Sequence, residues 1–210
     1  MRKQQSGFTL VEIAIVLVII GLLLGGVLKG QELINSAKVK NMANDFRNIP
    51  LFIYGYQDKY KRLPGDDSGA LARFAGAAID GDGKGSIGGK WDSVNLADES
   101  VIFWQHIRLA NLAPGSTDFS AIDKASLPTN ADGGKVGIQM TTPIKGMTGT
   151  YYVCSQSIPY KLAEQLDVTL DDGNGATGTV RAQSGAATDD TKDGIAYAAA
   201  NPTYTVCMAF

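Results

Sequence analysis

A run of apolar residues from Phe8 to Leu28, broken only by Thr9 and Glu12, constrains this chain more than any other feature. As a helix it is long enough to span a bilayer, which takes about 20 apolar residues. Only a short segment with Arg2 and Lys3 precedes it. By the positive-inside rule that end stays cytoplasmic and the rest of the chain is exported. A secretory signal peptide fits less well: the run is longer than a signal-peptide core, and no small-x-small cleavage site follows it. A membrane anchor is the simpler reading. At 210 residues the chain suits one globular domain plus such an appendage. A net charge of −2 provides no basic field for nucleic acid, and none is inferred as a partner.

Glu12 is the one carboxylate in the apolar run, and an acid there needs a partner. It lies one helical turn beyond Phe8, about 6 Å along the axis. If the chain is cut after Gly7, Phe8 carries a free positive amine at a helix start, where the helix dipole already places positive charge. Glu12 then relieves that amine, in its own chain or in a neighbour.

The stretch "GFTLVE" behind a short basic leader resembles the signal of type IV prepilins and type II secretion pseudopilins. The likeness is strong from Gly7 to about Ile34 and extends in general character to about Leu63. It implies cleavage by prepilin peptidase between Gly7 and Phe8, N-methylation of Phe8, and pairing of Glu12 with the Phe8 amine of an adjacent subunit during assembly. Methylation keeps the charge. The implied divisions are a leader at 1–7, a transmembrane and filament-core helix at 8–34, the exported half of that helix at 35–63, and a periplasmic globular α+β domain at 64–210. The implied partners are the peptidase, other pilin or pseudopilin subunits, the inner membrane and an assembly platform. The implied location is a single inner-membrane pass with a periplasmic C-terminal domain, and later the filament. A minor pilin or pseudopilin is the expected function. The alternative is a membrane-tethered periplasmic binding domain that does not polymerise.

From Gln31 the chain turns polar but keeps helical periodicity. Val39, Met42, Phe46, Ile49, Ile53, Tyr56, Tyr60 and Leu63 step by threes and fours, giving one apolar stripe that needs a cover. A helix from Phe8 to about Lys61 would be about 80 Å long. Pro50 lies inside it and predicts a kink, and "LPGDDSG" predicts its end. Gly21, Gly25, Gly26 and Gly30 have spacings that permit close helix approach in membranes, or merely soften the helix.

Residues 64–210 read as α+β. Short helices are expected at "DSGALARFAGA", "ADESVIFWQHIRLANL" and "PYKLAEQLDVTL", and strands at "KVGIQMTT", "TGTYYVCSQS", "TGTVRAQ" and "TYTVCMAF". The expected fold is pilin-like: a long N-terminal helix, transmembrane in its first half, packed on a small antiparallel sheet. Cys154 and Cys207, the only cysteines, lie in predicted strands of an exported domain. A disulfide is the natural reading and two buried thiols the rival.

"DGDGKGSIGG" resembles the front of a calcium loop, with Asp80 and Asp82 offering alternate oxygens. It departs from that pattern at Lys84 and at Trp91, where the closing Glu should stand. Structural calcium and a plain glycine turn are both open. Asp171 and Asp172 are a weaker pair. His106, the only histidine, sits on an apolar helix face and reads as a core residue. No nucleophile, base and orienter come together in the sequence, so an enzyme is not expected. Trp91, Trp104, Tyr151 and Tyr152 read as core.

Overall fold

A computed structural model describes residues 9–210. The chain divides into two compact units, one ending at Ala37 and the other running from Lys38 to Phe210. Helix α1, Leu10–Tyr60, contributes to both.

In the first unit, α1 carries the apolar run and buries none of it. Leu10, Leu17, Leu22 and Leu28 are all more than 60% exposed. This is the one helix among the described residues long and apolar enough to cross a membrane. A Cβ added at Gly21, Gly25, Gly26 or Gly30 would meet nothing within 4 Å. The chain's own packing therefore gives no reason for glycine at these positions.

In the second unit, the stripe on α1 is covered as its periodicity requires. Val39, Met42, Phe46, Ile49, Ile53 and Tyr56 are buried, with Ala43 beside them. The helix continues unbroken through Pro50. It ends where Lys61 takes a left-handed backbone (φ 56°) and donates its N–H to Gln57 O.

The stripe shares one core with a four-stranded antiparallel sheet in the order β1-β2-β4-β3. Its strands are β1 Val136–Gln139, β2 Tyr152–Pro159, β3 Val180–Ser184 and β4 Thr203–Ala209. Alternation divides each strand's side chains between two faces. Ile138, Val153, Tyr204 and Val206 meet the helix side, while Tyr152, Cys154, Cys207 and Ala209 join Trp91, Ile144 and Met147 in a second cluster. Both faces are thus covered, which is why β1 is buried at every position. Gly137 in β1 is required: a Cβ there would lie 1.8 Å from Trp91 O.

Four helices complete the unit: α2 Ala70–Arg73, α3 Glu99–Leu109, α4 Ile122–Ala125 and α5 Tyr160–Leu170. Each expected helix and strand is present. The single turn α4 was not expected, since "IDKA" is too short to show a period. The fold is α+β, with a long N-terminal helix on a small antiparallel sheet.

Candidate functional site

Gly7 and Phe8 lie outside the described residues. The site there is defined from Thr9 onward. Thr9 stands just before α1 and Glu12 is its third helical residue. The Thr9 N–H and hydroxyl both donate to Glu12 Oε2 at 2.8 Å. The Glu12 N–H donates back to Thr9 Oγ1 at 3.2 Å. This is a capping box: two backbone N–H groups with no helical partner are satisfied reciprocally. Glu12 therefore has a partner in its own chain before any neighbour arrives. The T-x-x-E signal for this box is local and legible in the sequence, beside the Phe8–Glu12 spacing.

A second grouping of carboxylates forms in the Lys38–Phe210 unit. Asp66, Asp82 and Glu99 bring carboxylate oxygens within 4.8 Å of one another. Asp66 accepts the N–H groups of Lys84 and Gly85, each at 2.8 Å. Glu99, in the first turn of α3, accepts those of Asp82 at 3.0 Å and Gly88 at 2.7 Å. Asp82 meets the Lys84 ammonium at 2.7 Å. That contact holds the Asp82 carboxyl below its usual range, whereas burial pushes Glu99 above its own. Asp80 is not in this group; its Oδ1 accepts the Leu71 N–H at 2.6 Å. Lys84, the residue that departed from the calcium-loop pattern, puts its own cation beside the carboxylates. Three carboxylates are a donor set of the chemical kind a hard cation takes, and both oxygens of Asp66 and of Glu99 are at the same time acceptors for backbone N–H groups. Asp66 and Glu99 lie far along the chain from the loop, so loop spacing alone did not reveal them.

Asp171 and Asp172 fasten the turn between α5 and β3. Asp171 accepts the Val180 N–H at 3.0 Å, and Asp172 accepts the Asn174 N–H at 2.8 Å and the Thr177 hydroxyl at 2.7 Å. Buried Asp167 completes this group and accepts the Tyr197 hydroxyl at 2.8 Å.

His106 is fully buried. Its Nδ1 accepts the Gly65 N–H at 2.9 Å, so Nε2 carries the proton and donates to Ile79 O at 2.7 Å. Both ring nitrogens are used by backbone, which makes it a structural residue. It stacks on Tyr56 with ring centroids 5.9 Å apart. The Tyr56 hydroxyl donates to buried Asp67 at 2.8 Å, and Asp67 also pairs with Arg73. This knot ties the end of α1 to α3 and to the loop between them.

Cys154 and Cys207 form a disulfide across paired positions of β2 and β4. Trp91, Trp104 and Tyr152 are buried in the core, and Tyr151 is partly buried against it.

Among families of known proteins, residues 2–28 match the one described as the prokaryotic N-terminal methylation motif. No curated protein and no solved structure matches the chain.

Proposed function

Residues 2–28 carry the signature of type IV prepilins and pseudopilins, and on that premise we propose that the chain is a minor pilin or pseudopilin. It is a structural subunit of a type IV pilus or a type II secretion pseudopilus and assembles through α1. The observation that carries this reading is the motif at residues 2–28, whose apolar run lies exposed along the first part of α1 and holds one acid, Glu12, in the first turn of the helix. An exposed apolar surface of that length needs lipid first and other helices later. Prepilin peptidase cuts between Gly7 and Phe8 and methylates Phe8, an assembly platform takes the subunit from the inner membrane, and the Lys38–Phe210 unit is periplasmic.

A second reading, a tether that does not polymerise, gains one observation. The capping box gives Glu12 work in any anchored helix. One substitution separates the two. Gln serves at this position of a capping box as Glu does, but carries no charge for a neighbour's amine. Under the subunit reading, Glu12→Gln is still inserted and cleaved but is lost from sheared filaments, measured against its level in the membrane. Glu12→Gln entering filaments as well as the parent would rule out the charge-pairing role and return weight to the tether. N-terminal mass spectrometry gives a separate check: mature protein starts at methylated Phe8, and an intact Met1 in cells with active peptidase refutes processing.

The structural-calcium expectation carries into this reading for Asp82, with Asp66 and Glu99 as the partners that complete the donor set.

A further inference from the structure

A cavity of about 230 Å³ opens between the exported half of α1, α3 and the loops that follow α3. Its walls are apolar, built by Ile49, Phe52, Trp104, Pro114, Pro128 and Val136. Two charged groups, Asp45 and Arg108, also line it. Arg108 is 6% exposed. Its guanidinium donates to three carbonyls, those of Ser116, Ala125 and Ser126. Its Nε–H has no partner and no carboxylate pairs with it among the described residues. Asp45 makes no hydrogen bond and no ion pair among those residues, and burial alone pushes its carboxyl up to about 6. A desolvated carboxylate without a donor is costly. An unpaired carboxylate on the wall of an otherwise apolar cavity marks a candidate binding site.

The cavity is below the range of about 300–1,000 Å³ that takes cofactors and drug-sized ligands. It suits one ring-sized group. The aromatic and proline walls favour a flat apolar body, and Asp45 asks for one O–H or N–H donor. A phenol meets both conditions, because a buried Tyr hydroxyl seeks a partner while its ring stays apolar.

The exported unit displays such a group itself. Its exposed large apolar side chains are Leu51, Tyr54, Leu71, Val94, Ile122 and Val168, and of these only Tyr54 carries a donor. Tyr54 is 56% exposed, and its hydroxyl makes no hydrogen bond among the described residues. Asp45 and Tyr54 are separated on α1 by about two and a half helical turns, which puts them on opposite sides of the helix. A socket and a plug on opposite sides cannot meet within one chain. Between copies they make a heterologous contact, the type that repeats along a line rather than closing into a pair.

We propose that the Tyr54 ring of one copy seats in the Asp45–Arg108 cavity of the next, with its hydroxyl donating to the Asp45 carboxylate. This deepens the filament-subunit reading and rests on it. The contact rests on the filament-subunit part of that reading and not on a minor role, since it needs consecutive copies of the chain; it lies outside the apolar run, so it adds register to helix packing in the membrane-derived core.

Two experiments test it. In cells, the full chain carrying benzoylphenylalanine at Asn48, on the rim of the cavity, is irradiated and digested. The expected product is a dimer of the chain cross-linked at Tyr54 or a residue beside it on α1, and Asp45→Ala reduces it several-fold. A cross-link mapped elsewhere, or to a different subunit, overturns the proposal. So does an absent cross-link in a variant that still enters filaments, while the filament reading itself survives. In detergent micelles, where no filament is needed, the ¹⁵N-labelled full chain is titrated at pH 7.5 with N-acetyl-tyrosinamide. The Trp104 indole signal shifts saturably and that of Trp91 does not. The phenylalanine analogue binds about tenfold or more weakly, as losing a hydrogen bond to a charged acceptor implies. Equal binding of the two probes, or no shift of Trp104, overturns the proposal.

Discussion

Asp45→Asn keeps the shape of the side chain and removes its charge, and it is expected to stabilise the protein near neutral pH. The Asp45 carboxyl stands at about 6 against an ordinary value of 3.8, because burial disfavours its charged form and no donor compensates. That rise is worth about 3 kcal/mol for a fully buried group. The group is only half withdrawn from solvent, so screening reduces this to about 1–1.5 kcal/mol. The sign follows from the raised value. Between pH 3.8 and 6 the native state holds a proton that the unfolded chain has released, so stability present at low pH is lost as pH rises through 6. The Asn variant has no such loss. Its advantage is therefore full at pH 7.5 and gone near pH 4. Thermal unfolding of the full chain in detergent, followed by near-ultraviolet circular dichroism, should show a rise of about 2–5 °C at pH 7.5. A variant that melts at or below the parent at pH 7.5, or whose gain persists at pH 4, would refute the account. The first result would mean that Asp45 has a partner; the second, that the charge is not the cause. A gain in stability paired with a loss of the copy-to-copy cross-link would mark Asp45 as a group held at a cost for binding.

Other outcomes follow from the remaining buried and cross-linked groups. Burial lowers the His106 pKa below 6.5, so in acid the unfolded chain takes up a proton that the native ring refuses. Stability relative to His106→Gln should fall as pH drops from about 6.5 toward 5, and parallel melting curves for the two proteins would contradict this. Reducing the Cys154–Cys207 bond, which closes a separation of 53 residues, should cost roughly 4 kcal/mol and lower the melting temperature by about 10 °C. Alkylation of the unreduced, unfolded protein should label neither cysteine; two labels would show free thiols. If Asp66, Asp82 and Glu99 hold calcium, calcium should raise the melting temperature over chelator, and Asp82→Ala should abolish the difference. Identical melts of the parent in calcium and chelator would leave Lys84 as the only counterion of the group.

Local regularities made much of this protein legible from its sequence. The unbroken apolar run sets the exposed half of α1, because lipid-length hydrophobicity needs no tertiary information. The three-and-four stepping from Val39 to Tyr56 names the buried face of the other half, because a helix repeats every 3.6 residues whatever it packs against. The cysteines could be placed in strands by alternation, and pairing of β2 with β4 then set them directly opposite each other. The Thr9–Glu12 box is also local and needed only the right template. What tertiary structure alone decided are the contacts between distant segments. Asp66 and Glu99 converge on the loop at Asp82 because a left-handed backbone at Gly65 and the start of α3 bring three stretches of chain together. Asp80, with the same local credentials as Asp82, turns instead to Leu71 N–H. Asp45 looks in sequence like an ordinary polar residue at the edge of an apolar stripe. Only the loops after α3, held by the carbonyls that Arg108 gathers, close apolar walls beside it and take away part of its water. Periodicity reports which face of an element is buried. Which groups meet there, and which charges lose their solvent, depends on the path of chain segments that carry no period.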